Sequence, residues 1–269
     1  MFRTPVWPRP LFAADGGAAR CFFLVYSPRP FPTPEDGTMP MDWADWCPFD
    51  EWAAGVEWGF VERRNAPDLF SSVEEAARLA LDAPASGMTP ALSAALGDAG
   101  FGARVVATVV DPPDLGYLQF AWAVVRWLLE SGATVVFDVE RARWWSRDEV
   151  LGWHRAGWPD GRKFQLEREV GVSVAPLEGA PRWRVETHGL GKFGRPDLLL
   201  DVESDETGDL FAQERRATLP AWATAAVEQL ATEAALGRAI APGHTFALGT
   251  LRFDLEPEGE LLRLVHRRP

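Results

Sequence analysis

The chain has 269 residues, 47% hydrophobic and 25% charged, enough to bury a sizeable core without disulfides or metals. It carries 39 acidic and 27 basic residues, a formal charge of −12. These figures exclude a disordered chain, a collagen-like one and a membrane span, and an acidic surface disfavours the phosphate backbone of nucleic acid.

The N-terminus, MFRTPVWPRPLFAADGG, is interrupted by Pro5, Pro8 and Pro10 and has no apolar stretch long enough for a secretory signal. A cytoplasmic protein is expected. Residues 20–26 (RCFFLVY) read as a buried strand. Residues 28–50 hold six prolines and read as a long irregular loop. Within it, Trp43 and Trp46 lie among Asp42, Asp45 and Asp50. Aromatics ringed by acids suit a protein-binding surface, and a loop folded back over the core accounts for them too.

A second strand is expected over 56–63. Ser72 and Glu75 form a capping box that starts a helix running to Leu81, and Thr89-Pro90 opens a shorter helix that stops near Gly97. Residues 103–110 (ARVVATVV) read as a strand buried on both faces. Asp114 caps a helix to Glu130, apolar on two sides, and 133–139 (ATVVFDV) is the next strand. This is a β-α-β unit, for which parallel pairing is the default. Ser146 and Glu149 form a second capping box, and GWPDGRK at 157–163 marks a boundary.

After the boundary, strands are expected near 166–174, 182–188 and 196–202, then a helical stretch over 208–217. A long helix follows over 220–236, opened by Pro220 and closed by Gly237. Strands at 244–254 and 260–266 end the chain, joined by Pro257-Glu258-Gly259. The expected fold is α+β, with two mixed β/α lobes packed together, residues 1–160 and 161–269, the first containing the β-α-β unit.

Gly189, Gly191 and Gly194 spell G-x-G-x-x-G. A dinucleotide site needs that loop to open a helix, whereas Pro196 and the LLL run indicate a strand. Two uses remain: tight turns at positive φ, or an anion-binding nest of backbone N–H groups aided by Lys192 and Arg195. His188, at the strand end beside the turn, is the best-placed histidine. The segment THGLGKFGRPDL (187–198) resembles a T-x-G-[LM]-x-K-F-G-x-P-[DE]-[LI] motif from a family of bacterial proteins with no assigned activity. VVFDVERARWW is similar to a second segment of such proteins. The resemblance implies a bacterial origin and no particular chemistry.

Asp111, Asp138 and Glu140 fall at the carboxyl ends of two strands, where carboxylates could hold Mg²⁺ for hydrolysis. Against this, Asp111 before Pro112-Pro113 suits a turn, and Glu140 can pair with Arg141 or Arg143 at the surface. There is no G-x-S-x-G elbow, and His154, His188, His244 and His266 lack metal-ligand spacing. No metal and no cofactor is expected. Cys21 and Cys47 read as reduced thiols.

The expected function is a cytoplasmic, non-catalytic protein-binding module, such as an immunity protein neutralising a toxin. Its partner is a basic protein, with neither nucleic acid nor membrane, and its contacts are Trp43, Trp46, Asp42 and Asp45. The alternative is a metal-dependent hydrolase or a small anionic-ligand binder using the strand-end carboxylates and the 188–195 turn, with His188, Lys192 and Arg195 as ligand contacts.

Overall fold

Ala18–Ser27, strand β1, alternates its side chains between two apolar layers and so sits at the centre of a sheet. The structure is a computed structural model that describes residues 6–32, 55–155, 165–178, 181–203 and 219–267. It is an α+β fold. The chain divides into two compact units, Met1–Pro8 with Ala18–Gln165, and Arg9–Gly17 with Leu166–Pro269. The contact candidates Asp42, Trp43, Asp45 and Trp46, the boundary segment 157–163 and the helical stretch 208–217 lie outside the described residues.

In the first unit β2 (Val56–Glu62), β3 (Phe101–Val110), β4 (Val135–Asp138) and β5 (Arg143–Ser146) join β1 in the order β2-β3-β1-β4-β5. Every neighbouring pair is antiparallel. β3 and β4 therefore run parallel to each other, joined through α3 (Gly116–Glu130), but β1 lies between them and takes the hydrogen bonds that direct pairing would have used. β3 alternates buried and open positions, instead of being buried on both faces, because antiparallel neighbours and its own edge partner leave Arg104 and Thr108 facing outward.

One sheet face carries Tyr26, Val135 and Trp144. It packs on α1 (Pro67–Ala80) and α2 (Pro90–Gly97) through Phe70, Ala77, Leu92 and Leu96. The other face carries Phe23, whose ring lies 4.5 Å from Trp122 of α3, and Trp122 and Trp145 both meet Trp153 of α4 (Arg147–Arg155) edge-on. Thirteen of the fifteen α3 residues are buried, so this helix is core on all sides. Trp7 anchors the N-terminal segment: its N–H donates to Gln119 Oε1 at 2.8 Å, and its carbonyl accepts from Leu115 N–H at 3.0 Å.

Local signals behaved unevenly. Ser146 and Glu149 cap reciprocally, Ser146 N–H donating to Glu149 Oε2 and Glu149 N–H to Ser146 Oγ. Thr89 Oγ1 accepts from Leu92 N–H. The Ser72–Glu75 pair, however, lies inside α1. That helix begins at Pro67, whose missing N–H costs nothing in the first turn, and Ser72 Oγ bonds back to the Asp68 carbonyl.

The second unit is a six-stranded sheet, β6 (Gly171–Pro176), β7 (Arg182–His188), β8 (Leu198–Glu203), β9 (Thr245–Leu248), β10 (Leu251–Glu258) and β11 (Leu261–His266), in the order β6-β7-β8-β11-β10-β9. β8 and β11 are parallel; the other neighbours are antiparallel. Residues 166–169, expected to extend β6, form the short helix α5 (Leu166–Glu169). The strand expected over 244–254 is two, split by a turn at Gly249, whose φ of 58° a side chain would resist. The helix α6 (Ala221–Ala235) ends at Gly237, with φ 109° and an added Cβ placed only 2.5 Å from Phe12 Cα, so both the turn and the close approach of segment 9–17 require glycine. No described helix is long and apolar enough to cross a membrane.

Candidate functional site

The glycine turn folds as a single 3₁₀ turn over Leu190–Phe193, flanked by Gly189 at φ 110° and Gly194 at φ 69°. Those two positive values are why glycine stands there. The backbone N–H groups of Gly189 and Leu190 do form a nest, and they point at a carboxylate of the chain itself. Asp197 accepts from Leu190 N–H at 3.0 Å, from Gly189 N–H at 3.3 Å and from Thr187 Oγ1 at 2.8 Å. Thr187 Oγ1 in turn accepts from Leu198 N–H at 2.8 Å, tying the turn to the start of β8.

Lys192 and Arg195, expected to reach a ligand, face inward. Lys192 Nζ lies 2.9 Å from Glu169 Oε2, and both side chains are fully buried. Arg195 spends all three guanidinium nitrogens inside the second unit. Nε donates to the Arg238 carbonyl, Nη1 to Asp15 and the Gly194 carbonyl, and Nη2 to the carbonyls of Ala13 and Gly237. The turn is thus a clasp that closes α5, segment 9–17 and the end of α6 around itself. His188 reaches the sheet surface, its Nε2 at 3.1 Å from Ser173 Oγ.

The strand-end carboxylates are not brought together. Val110 pairs with Ala18 and Asp138 with Phe23, so Asp111 lies about 20 Å further along β1 than Asp138. Asp138 is buried and accepts from Arg141 N–H, and Glu140 pairs with Arg20 at 3.5 Å. No group of three or more potential metal ligands occurs among the described residues.

What the second unit does assemble is an open sheet face. α6 packs on one side, where Trp222 meets Phe253 and His266. By register, Arg182, Arg184, Glu186, Asp201, Glu203 and Arg263 share the opposite side. They interlock: Arg184 grips Asp201 with two bonds of 2.9 and 3.0 Å, while Arg263 lies 3.6 Å from Asp201 and 2.9 Å from Glu258. Leu199, on the same side of the sheet, is buried. At one end the face breaks into a cleft lined by Arg182, Asp201, Arg263, Pro220, Trp222 and His266. None of these was proposed as a site residue from sequence. The only available signal was the strand–helix–strand spacing, and that says nothing of which strands become neighbours.

Two aspartates of this unit titrate in opposite senses. The Arg184 hydrogen bond holds Asp201 below the usual carboxylate range, whereas burial, outweighing its three hydrogen bonds, holds Asp197 above it. Asp201 thus adds stability that is present above the ordinary aspartate value, near pH 4, and is lost as pH falls through its depressed value. Asp197 does the reverse, adding stability in acid that is lost as pH rises through its raised value. In urea titrations from pH 2.5 to 7, Asp201→Asn is expected to flatten the acid-side fall in midpoint and Asp197→Asn to steepen the net dependence. Parallel profiles for both variants would contradict the assignment.

No protein-family model, no curated protein and no solved structure matches this chain.

Proposed function

We propose that the chain is a non-catalytic protein-binding module for a basic protein, in its sharpest form an immunity protein that holds a toxin inactive. The observation that supports this reading is the open face of the second sheet. It is broad, edged with half-exposed arginines, and ordered in advance by its own ion pairs. Pre-fixed arginines lose little rotamer entropy on docking, and Arg over buried apolar surface is what interface centres are enriched in. The hairpin β10–β11 adds an exposed acidic rib, Glu256, Glu258 and Glu260, and the net charge of −12 steers a cationic partner toward it.

The test compares two variants of equal charge change. Glu256→Lys with Glu258→Lys alters the rib; Glu57→Lys with Asp98→Lys alters exposed positions of the first unit. Each immobilised protein is exposed to lysate of the source cells at low and raised salt. One basic protein held by the wild type and by the first-unit variant, and captured roughly tenfold more slowly by the rib variant, is the expected result. Equal capture by both variants, or none by any, would sink the proposal.

A further inference from the structure

Whether or not a protein docks on the open face, the cleft at its end has a chemistry of its own. β8 and β11 are the parallel neighbours of the second sheet; the chain passes from one to the other by way of α6, β9 and β10, and their carboxyl ends emerge side by side. A crevice outside the carboxyl ends of parallel strands is where sheets of mixed α/β connection take ligands. Here the crevice has a volume of about 460 Å³, the size range of small-molecule sites.

We propose that this cleft binds a small phosphorylated molecule carrying a planar ring, of the size of a nucleoside monophosphate. Arg182 and Arg263 approach from the two strands that flank β8, one on each side. A planar carboxylate is satisfied by a single arginine fork, whereas the three oxygens of a phosphate can be reached from both sides at once. Arg182 retains donor capacity, standing 3.7 Å from Glu203, beyond hydrogen-bond reach, while Arg263, which donates through Nη2 to Glu258, adds its positive charge from the other side. Two acids share the lining: Asp201, gripped at two points by Arg184, and Glu203, whose loose pairing with Arg182 a phosphate would displace. His266 supplies a ring N–H at the carboxyl end of β11, and the first turn of α6 brings no acidic side chain to compete.

The opposite wall supplies the platform for the ring. Trp222 lines the cleft with its indole 5.4 Å from the His266 ring and 5.9 Å from Phe253, which hold it in place. A braced indole is a low-entropy surface for a flat heterocycle, and such stacking tolerates any base.

The test is calorimetric titration of the full chain at low salt with the adenosine, guanosine, cytidine and uridine monophosphates, with adenosine and with inorganic phosphate. At least one monophosphate is expected to bind more tightly than about 1 mM, with adenosine and phosphate each about tenfold weaker. Arg182 is more than half exposed, so Arg182→Gln leaves the fold intact and should weaken the nucleotide about tenfold. Trp222→Leu should remove the advantage of nucleotide over phosphate while leaving phosphate binding itself unchanged. No heat from any monophosphate up to about 5 mM would overturn the proposal. So would binding that both variants leave untouched, or phosphate binding as tightly as the nucleotides.

Discussion

Lys192→Met should destabilise the second unit by about 3–5 kcal/mol, because it takes the buried ammonium away from a carboxylate, that of Glu169, that is itself fully buried. The loss is not the worth of the ion pair. Attraction between two buried charges largely offsets the cost of taking them out of water, so the pair itself contributes little net stability. The double replacement Lys192→Met with Glu169→Leu should therefore recover most of what either single change loses. Urea denaturation followed by a probe of the second unit gives the four corners of the cycle. A double variant as unstable as the sum of the singles would mean that the two charges are not coupled and that each single loss comes from packing, not from a stranded charge.

Arg195→Lys should cost about 3 kcal/mol, although it keeps the charge. One ammonium cannot serve the Asp15 carboxylate and the four carbonyls that the planar fork reaches, and each buried acceptor left unmatched costs about 1–3 kcal/mol. The loss has an address. Leu11 N–H donates to the Leu236 carbonyl and Ala13 N–H to Gly237, so these amides should exchange with solvent much faster in the variant, while those of β1 stay protected. Asp15→Asn, at a side chain 29% exposed, should cost under about 1 kcal/mol. Unchanged exchange at Leu11 and Ala13 would mean that Arg195 is not what secures segment 9–17.

Signals confined to a few residues were legible before the fold was known. The Ser146–Glu149 box, the Thr89-Pro90 start and the positive φ of Gly237 each depend only on backbone geometry within one turn. What depends on distant chain was not legible. β1 wedges between β3 and β4 because its two apolar faces match both, and no local pattern in 103–110 announces an antiparallel intruder. Ser72–Glu75 mimicked a helix start because the same i,i+3 spacing recurs along a helix interior.

The glycine turn was read as tight turns at positive φ or as an anion nest, but the nest's occupant, Asp197, was hidden in plain view three residues past Gly194. Residue type could not say whether the carboxylate folds back or a ligand arrives. The cleft was invisible for a related reason: Arg182, Trp222, Arg263 and His266 are scattered over 84 positions and meet only through the parallel register of β8 and β11.

The route of the chain also orders its making. Arg9–Gly17 is made early, yet the groups it bonds belong to Phe193, Arg195, Leu236 and Gly237, which are synthesised more than 170 residues later. All the residues of the first unit are made in the meantime. The second unit therefore has its opening stretch made near the start and the acceptors for it only near the end, so it completes only after α6 has been made. A fragment cut at the boundary would be born without that stretch, with Arg195 left facing acceptors that are no longer there.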